Sequence, residues 1–304
     1  MPLILPKELQ NMKILQNKIF TAILKIALSA GALIFVFTKI DIAEVTQIFG
    51  HSEPFLMILA LILFVLSKYI SAIRLNFFFT SAGLLLNKDN NLKLYLLGMF
   101  YNLFLPGGIG GDGYKIWLLN KHYKVKTQKI FWAVILDRLT GVMALFCLVV
   151  LLAPIIRIET SFNIKLYIWI LIPFSLMGFY FVIKYFFNDF SNNYTITSIL
   201  AFVVQTLQVF CAYAILRSLG GPEKELEYLF LFLISSIVAT LPITNGGVGS
   251  REITFLYGSQ ILGLDQNLSI VLSLAFYIIM VFTSSWGIIY IIRRKVWNPE
   301  LGVN

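Results

Sequence analysis

The chain has 304 residues, of which 59% are hydrophobic and only 13% charged, with a formal net charge of +9. That composition excludes an ordinary soluble domain and points to a polytopic membrane protein, integral to the cell membrane. No segment between apolar runs exceeds roughly thirty residues, and a catalytic domain usually needs at least about 50.

The first apolar run, residues 19–38, has no small-residue cleavage site after it and is read as a retained span rather than a signal peptide. Further spans are predicted near 54–74, 129–152, 164–187, 195–217 and 267–292, each close to the ~20 residues that a hydrocarbon core requires. Two other apolar regions, 92–120 and 226–262, are split by Gly-rich breaks. Their arms are mostly too short to cross a core of about 30 Å at about 1.5 Å per residue. Each is therefore predicted to be a re-entrant hairpin of two half-helices.

The two breaks resemble one another. The first runs from Asn102 through Pro106, Gly107, Gly108, Gly110 and Gly111 to Asp112; the second runs from Pro242 through Asn245, Gly246, Gly247 and Gly249 to Arg251 and Glu252. Gly107 and Gly246 set an offset of 139 residues, and the same offset carries the spans at 54 and 129 close to those at 195 and 267. The expected fold is thus all-α, with six full spans plus two re-entrant hairpins in one membrane domain covering 1–304. Residues 19–152 form a first repeat and 164–292 a second, inverted one, because three crossings per half is odd. Lipid cannot satisfy a broken backbone, so such breaks belong where protein or a water-filled cavity surrounds them. Paired breaks at matching positions of two halves mark a transporter's binding site.

Basic residues supply an independent test. With both termini cytoplasmic, the inner segments carry Lys7, Lys13, Lys18, Arg74, Lys88, Lys93, Lys115, Lys121, Lys124, Lys126, Lys129, Lys184, Arg293, Arg294 and Lys295, against Lys39, Arg157, Lys165, Arg217 and Lys224 outside. That asymmetry follows the positive-inside rule. Glu223, Glu225, Glu227 and Asp265 flank the second hairpin, as expected on the outer face.

Ionisable groups at membrane depth are functional candidates by default. Lys25 and Lys68 fall toward the cytoplasmic ends of their predicted spans and are expected to snorkel. Asp137 and Arg138 are sequence neighbours, about 100° apart on a helix, so each needs a partner on another element. They form either buried inter-helix ion pairs or a site where Arg138 meets a substrate phosphate and Asp137 positions it. Arg251 and Glu252 occupy the first turn of the second half-helix if Ser250 caps it. A helix start and a guanidinium both favour a phosphate there, while Glu252 is alternatively the partner of Arg251. Asp112 is either the N-cap of the following half-helix or a charge relay. The glycines are turn residues that also permit hinging or close approach of substrate. Lys115 and its basic neighbours make a mouth that attracts anionic headgroups.

In this order and spacing, Asn102…Leu105-Pro106…Gly110-Gly111-Asp112, Asp137-Arg138, and Leu241-Pro242…Gly246-Gly247-Val248-Gly249…Arg251-Glu252 resemble the lysylphosphatidylglycerol synthase transmembrane family. This family is also called the flippase-like domain family. The resemblance covers about residues 19 to 295. It implies a membrane domain that flips a lipid, as in the multiple peptide resistance factors. Those relatives add a cytoplasmic aminoacyl-transferase domain, which these 304 residues lack, so lipid synthesis is not expected of them.

The leading expectation is a flippase for an anionic phospholipid, aminoacyl-lipid or polyprenyl-phosphate-linked headgroup, working by alternating access without a cofactor. It is not expected to be an enzyme: no P-loop pattern occurs, and His51 and His122 are loop residues. Cys147 and Cys211 lie within apolar spans and suggest neither a disulfide framework nor a metal site. Nucleic acid is not an expected partner; a separate lipid-modifying enzyme and a second copy of the chain are. The alternatives are a transporter or channel for a small solute or ion, and a membrane-embedded enzyme using Asp112, Asp137 or Glu252.

Overall fold

A computed structural model describes residues 42–104, 110–123, 125–156, 167–241 and 247–292, together with Ile34 and Thr38. All regular structure among them is helical. The predicted first span at 19–38 lies almost wholly outside the described residues, as do Lys25, Pro106, Gly107, Gly108, Pro242, Asn245 and Gly246.

A short helix α1 (Ile42–Gly50) precedes the 28-residue α2 (Pro54–Ser81), which begins on a proline where the missing N–H is harmless. α2 ends at Gly83, whose φ of 87° lets the chain close back through Leu84 N–H donating to Phe79 O at 2.9 Å. The helix is seven residues longer than the predicted span, because Leu75 and Phe77 to Phe79 continue the apolar face beyond Arg74. α3 (Lys88–Phe104) and α4 (Gly110–His122) follow, then the long α5 (Thr127–Leu152). α6 (Leu171–Phe186) is extended at its start by a 3-10 turn, Ile168–Ile170, and α7 (Tyr194–Ser218) by another, Asn188–Asn193. α8 (Glu225–Thr240) and α9 (Ser250–Leu262) lead to α10 (Gln266–Ser285), capped by Asp265 accepting from Leu268 N–H at 2.6 Å, and to the short α11 (Gly287–Ile292).

Among the described residues, five stretches are long and apolar enough to cross a membrane: Pro54–Ser81, Thr127–Leu152, Ile168–Phe186, Asn188–Ser218 and Gln266–Tyr290. The chain is an all-helical integral membrane protein. Large apolar side chains face outward along these helices, most fully on α6, where Phe174, Tyr185 and Phe186 are each at least three-quarters exposed. In water that surface would be a liability; in lipid it is the expected solvent contact.

In both split regions the two short helices pack against one another. In the first, Tyr101 meets Tyr114 with ring centroids 4.5 Å apart, and the Lys115 ammonium lies 5.1 Å from the Tyr95 ring centre. A methyl on Gly111 would overlap the Gly98 carbonyl, so the arms touch backbone to backbone. In the second, Gly258 faces Leu231 and Gly247 faces Ala239, the order reversed along the two arms.

α2 and α7 run antiparallel and are tied at both ends. Glu53 N–H donates to Ser218 O at 2.9 Å, and the Asn193 amide donates to Ser81 Oγ at 2.9 Å. Two apolar cores result. One gathers Phe64, Phe232, Phe255 and Phe276 from the first half of α2 and from α8, α9 and α10. The other gathers Leu75, Phe78, Phe79, Leu119 and Ile130 from the second half of α2 and from α4 and α5. α2 threads both cores, and its stretch from Ser67 to Arg74 lies where one gives way to the other.

Candidate functional site

That stretch of α2 is a polar layer between two greasy ones. Ser67 and Ser71 satisfy themselves by donating to Phe64 O and Ser67 O, at 2.7 and 2.8 Å. Arg74 cannot do so. Its Nε donates to Asp137 Oδ1 on α5 at 2.7 Å, in a pair buried on both sides. The position of Arg74 corrects the sequence reading, which placed it in a cytoplasmic segment. It sits two turns inside α2, because the helix continues to Ser81. One turn beyond Asp137, Gln205 of α7 donates to Gly141 O at 3.3 Å and continues the layer.

Arg138, next to Asp137, turns to a different helix and pairs through Nε with Asp112 Oδ2 on α4. The other oxygen of Asp112 accepts from Lys115 Nζ at 3.1 Å. The structure therefore pairs Asp137 and Arg138 with charges on separate elements, as their angular separation on a helix requires. It corrects two other readings. Asp112 lies inside the first turn of α4 and is not its cap; the Gly111 N–H is instead taken by Asn102 Oδ1, at 2.8 Å across the break. Lys115 is 6% exposed and lies in this network rather than in a cytoplasmic mouth. Gly110 opens α4, and Gly111 beside it is buried.

The second break is built differently. Gly247 and Gly249 have φ of 82° and 84°, a region that side chains other than glycine rarely adopt. They bring the chain sharply into α9. Ser250 is the first helical residue and donates to Gly247 O at 3.0 Å, so it does not cap the helix. Glu252 reaches back instead, accepting from Gly249 N–H at 2.7 Å with one oxygen and from Ser273 Oγ of α10 at 2.9 Å with the other. At 2% exposure it is a buried carboxylate with a structural assignment, not the ion-pair partner of Arg251.

Arg251 is thereby left to weak partners. Its guanidinium lies 4.7 Å from the Phe276 ring centre and 5.6 Å from that of Phe232, with one long contact of 3.5 Å to Ser236 Oγ. Among the described residues it makes no ion pair. Stacking on a ring is worth about 0.5–2 kcal/mol, whereas removing a charge from water costs several kcal/mol. The rings hold the cation in place without neutralising it.

Lys68 is in the same position. The sequence reading sent it to the membrane surface, but α2 extends 13 residues beyond it, and its Nζ folds over the Phe64 ring at 4.5 Å. Phe64, Phe276 and Phe232 form one cluster, with successive centroids 5.3 and 4.8 Å apart. Lys68 and Arg251 therefore sit on the same aromatic cluster.

Sequence reasoning missed Lys68, Arg74, Ser236 and Ser273 as members of the layer. The apolar Leu75 and Phe77–Phe79 beyond Arg74 were the signal that could have found the first two.

A family model described as the lysylphosphatidylglycerol synthase TM region matches residues 22–287. No curated protein matches the chain, and no solved structure does.

Proposed function

We propose that this chain, which belongs to the lysylphosphatidylglycerol synthase transmembrane family, is a lipid translocase for an anionic headgroup. The observation that carries the reading is Arg251: a permanent cation at the start of a half-helix, at the polar layer, with no carboxylate bound to it among the described residues. A helix start and a guanidinium both favour a phosphate. The headgroup crosses beside Arg251 while its tails remain in lipid. Arg138 serves the same path from the other hairpin and exchanges Asp112 for substrate.

In this reading the chain has six full spans and two re-entrant hairpins entering from opposite faces, with both termini cytoplasmic. The packing supports an inverted repeat. α2 and α7, the second spans of the two halves, are antiparallel partners. The contacts are also reciprocal: α8 of the second half packs on α5 of the first, and α3 of the first packs on α10 and α11 of the second. Two halves so interlocked give two equivalent states, one open to each side. No step of covalent chemistry enters this reading, so the protein acts as a carrier rather than an enzyme.

The test is reconstitution into liposomes with a panel of labelled anionic lipids. Wild-type protein is expected to move at least one of them between leaflets, and Arg251→Ala to abolish the movement. An Arg251→Ala protein that works at the wild-type rate removes the centre of the mechanism. Flux of a soluble anion without lipid movement would favour a solute transporter at the same site.

A further inference from the structure

A second opening lies apart from the polar layer. A cleft of about 320 Å3 separates α2 from the start of α3, with Tyr69, Ile73, Asn76 and Thr80 of α2 on one wall and Lys88 and Asn91 of α3 on the other. At about 3.6 residues per turn, Ile73, Asn76 and Thr80 share the face of α2 opposite to Ser71, Arg74 and Phe78. The cleft is therefore distinct from the layer that Arg74 enters. Tyr69 and Thr80 are exposed along it, so it opens at the surface of the bundle, where lipid lies.

Its lining changes in character along its length. One end carries Lys88 and Thr80, both exposed. The middle carries two amides: Asn91, one turn into α3 from Lys88, and Asn76, one turn back along α2 from Thr80. The far end is formed by the Ile73 side chain and the Tyr69 ring. From Thr80 to Tyr69 is about 16 Å at about 1.5 Å per residue, close to half of a ~30 Å hydrocarbon core. With Lys88 at the cytoplasmic surface, as in the proposed topology, the cleft runs the depth of the inner leaflet.

The amides say what is missing. Asn91 is 3% exposed, and its Nδ2 donates to Ala72 O at 2.6 Å. That bond fixes which end of the amide is oxygen, and Oδ1 is left with no partner among the described residues; Oδ1 of Asn76 has none either. A carboxamide oxygen only accepts, so both need a donor, and a buried acceptor without one is costly. Acyl chains and ester carbonyls have no donor to give, and an ionised phosphate answers Lys88 but not the amides. A hydroxyl placed between a phosphate and a chain supplies the donor at the right depth. In a diacyl glycerophospholipid that hydroxyl is esterified.

From this order of cation, amides and apolar wall we infer that the cleft binds a single-chain anionic lipid, a lysophospholipid. Its phosphate lies at Lys88, its free glycerol hydroxyl at Asn91 and Asn76, and its chain along Ile73 to Tyr69. The site is additional to the one at Arg251 and does not depend on what passes there.

Native mass spectrometry of the full-length protein in neutral detergent tests this with three probes. They are 1-oleoyl lysophosphatidic acid, its 2-deoxy analogue with the same phosphate and chain, and dioleoyl phosphatidic acid. Wild type is expected to hold the first at least about fivefold more tightly than either of the others, the scale of one hydrogen bond to a buried acceptor. Asn91→Leu should erase that margin. Lys88→Gln should weaken all three probes by about fivefold, and Thr80→Trp, which fills the charged end, should weaken lysophosphatidic acid further still. Lys184→Gln, at the end of α6, should alter nothing. Because Arg251 also attracts anionic lipid, the titrations are repeated on Arg251→Met, where the margin should persist. A margin lost in Arg251→Met would place hydroxyl recognition at that site and overturn the inference, with the translocase reading left standing. Equal binding of lysophosphatidic acid and its deoxy analogue, an unchanged margin in Asn91→Leu, or unaltered binding by Thr80→Trp would also overturn it. So would displacement by an equal concentration of glycerol 3-phosphate, since the chain would then contribute nothing. Thermal unfolding identifies any variant that does not fold, and the wild-type comparison of the two single-chain lipids needs no variant.

Discussion

At the scale of single residues, the layer contains two kinds of cation, and substitution should separate them. Arg74 is paired and buried, so Asp137→Asn leaves a charge stranded and should destabilise the fold by about 3–5 kcal/mol. Chemical denaturation in detergent measures that loss, and a double Arg74→Met, Asp137→Leu protein should recover most of it. Arg251 is unpaired among the described residues, so Arg251→Met should leave the unfolding temperature unchanged or raise it while transport is lost. A marked fall in stability would assign Arg251 a structural role instead. Sequence made Asp137 and Arg138 legible, because adjacent helical residues cannot face the same neighbour. It misplaced Asp112, whose capping role passes to Asn102 from the opposite side of the break. It also misplaced Lys68, because the span was ended at the next basic residue rather than at the end of the apolar run. A charge inside a helix looks like a boundary until its partner is known.

At the scale of elements, the two Gly-rich breaks were readable as divisions between short packed helices, because apolar arms too short to cross lipid must find a partner. Their interiors were not readable. Both contain Gly-Gly followed by charge, yet one closes through Asn102 and the other through Glu252 and two left-handed glycines. Near-identical strings thus reach their ends by different hydrogen bonds. The glycines also divide by role. Gly111→Ala should drive a methyl into the Gly98 carbonyl and cost about 1–3 kcal/mol. Gly113→Ala meets nothing within 4 Å and should be tolerated. Unfolding temperatures of the two purified variants check the difference; equal losses would mean that the close contact of the arms does not matter.

At the scale of the molecule, sequence spacing suggested two related halves, and the packing adds what spacing could not. Helices far apart in sequence interlock, α8 packing on α5 and α3 on α10 and α11. The proposed inverted arrangement makes a topological prediction. With Cys147 and Cys211 replaced by Ser, Lys121→Cys at the outer end of the first hairpin should react with an impermeant thiol reagent only from the cytoplasmic face. Glu223→Cys beside the second hairpin should react only from outside. Labelling of both from one face would exclude an inverted pair. The positive-inside count tolerates the corrections above, since moving Arg74 and Lys115 inward leaves thirteen of the fifteen inner basic residues in place.

The placing of Lys68 and Arg251 on one aromatic cluster, with no ion pair among the described residues, also has an electrical consequence. A membrane potential acts on each elementary charge that moves across it with about 2.3 kcal/mol per 100 mV. If Lys68 and Arg251 shift relative to the field when the empty protein changes state, that step is driven or resisted by voltage. A bound anionic headgroup offsets part of their charge, so the loaded step carries less net charge than the empty one. The potential would then act more strongly on the reset of the vacant carrier than on the passage of its cargo. Recordings of transient current from proteoliposomes should show charge movement without lipid that shrinks as anionic lipid is added.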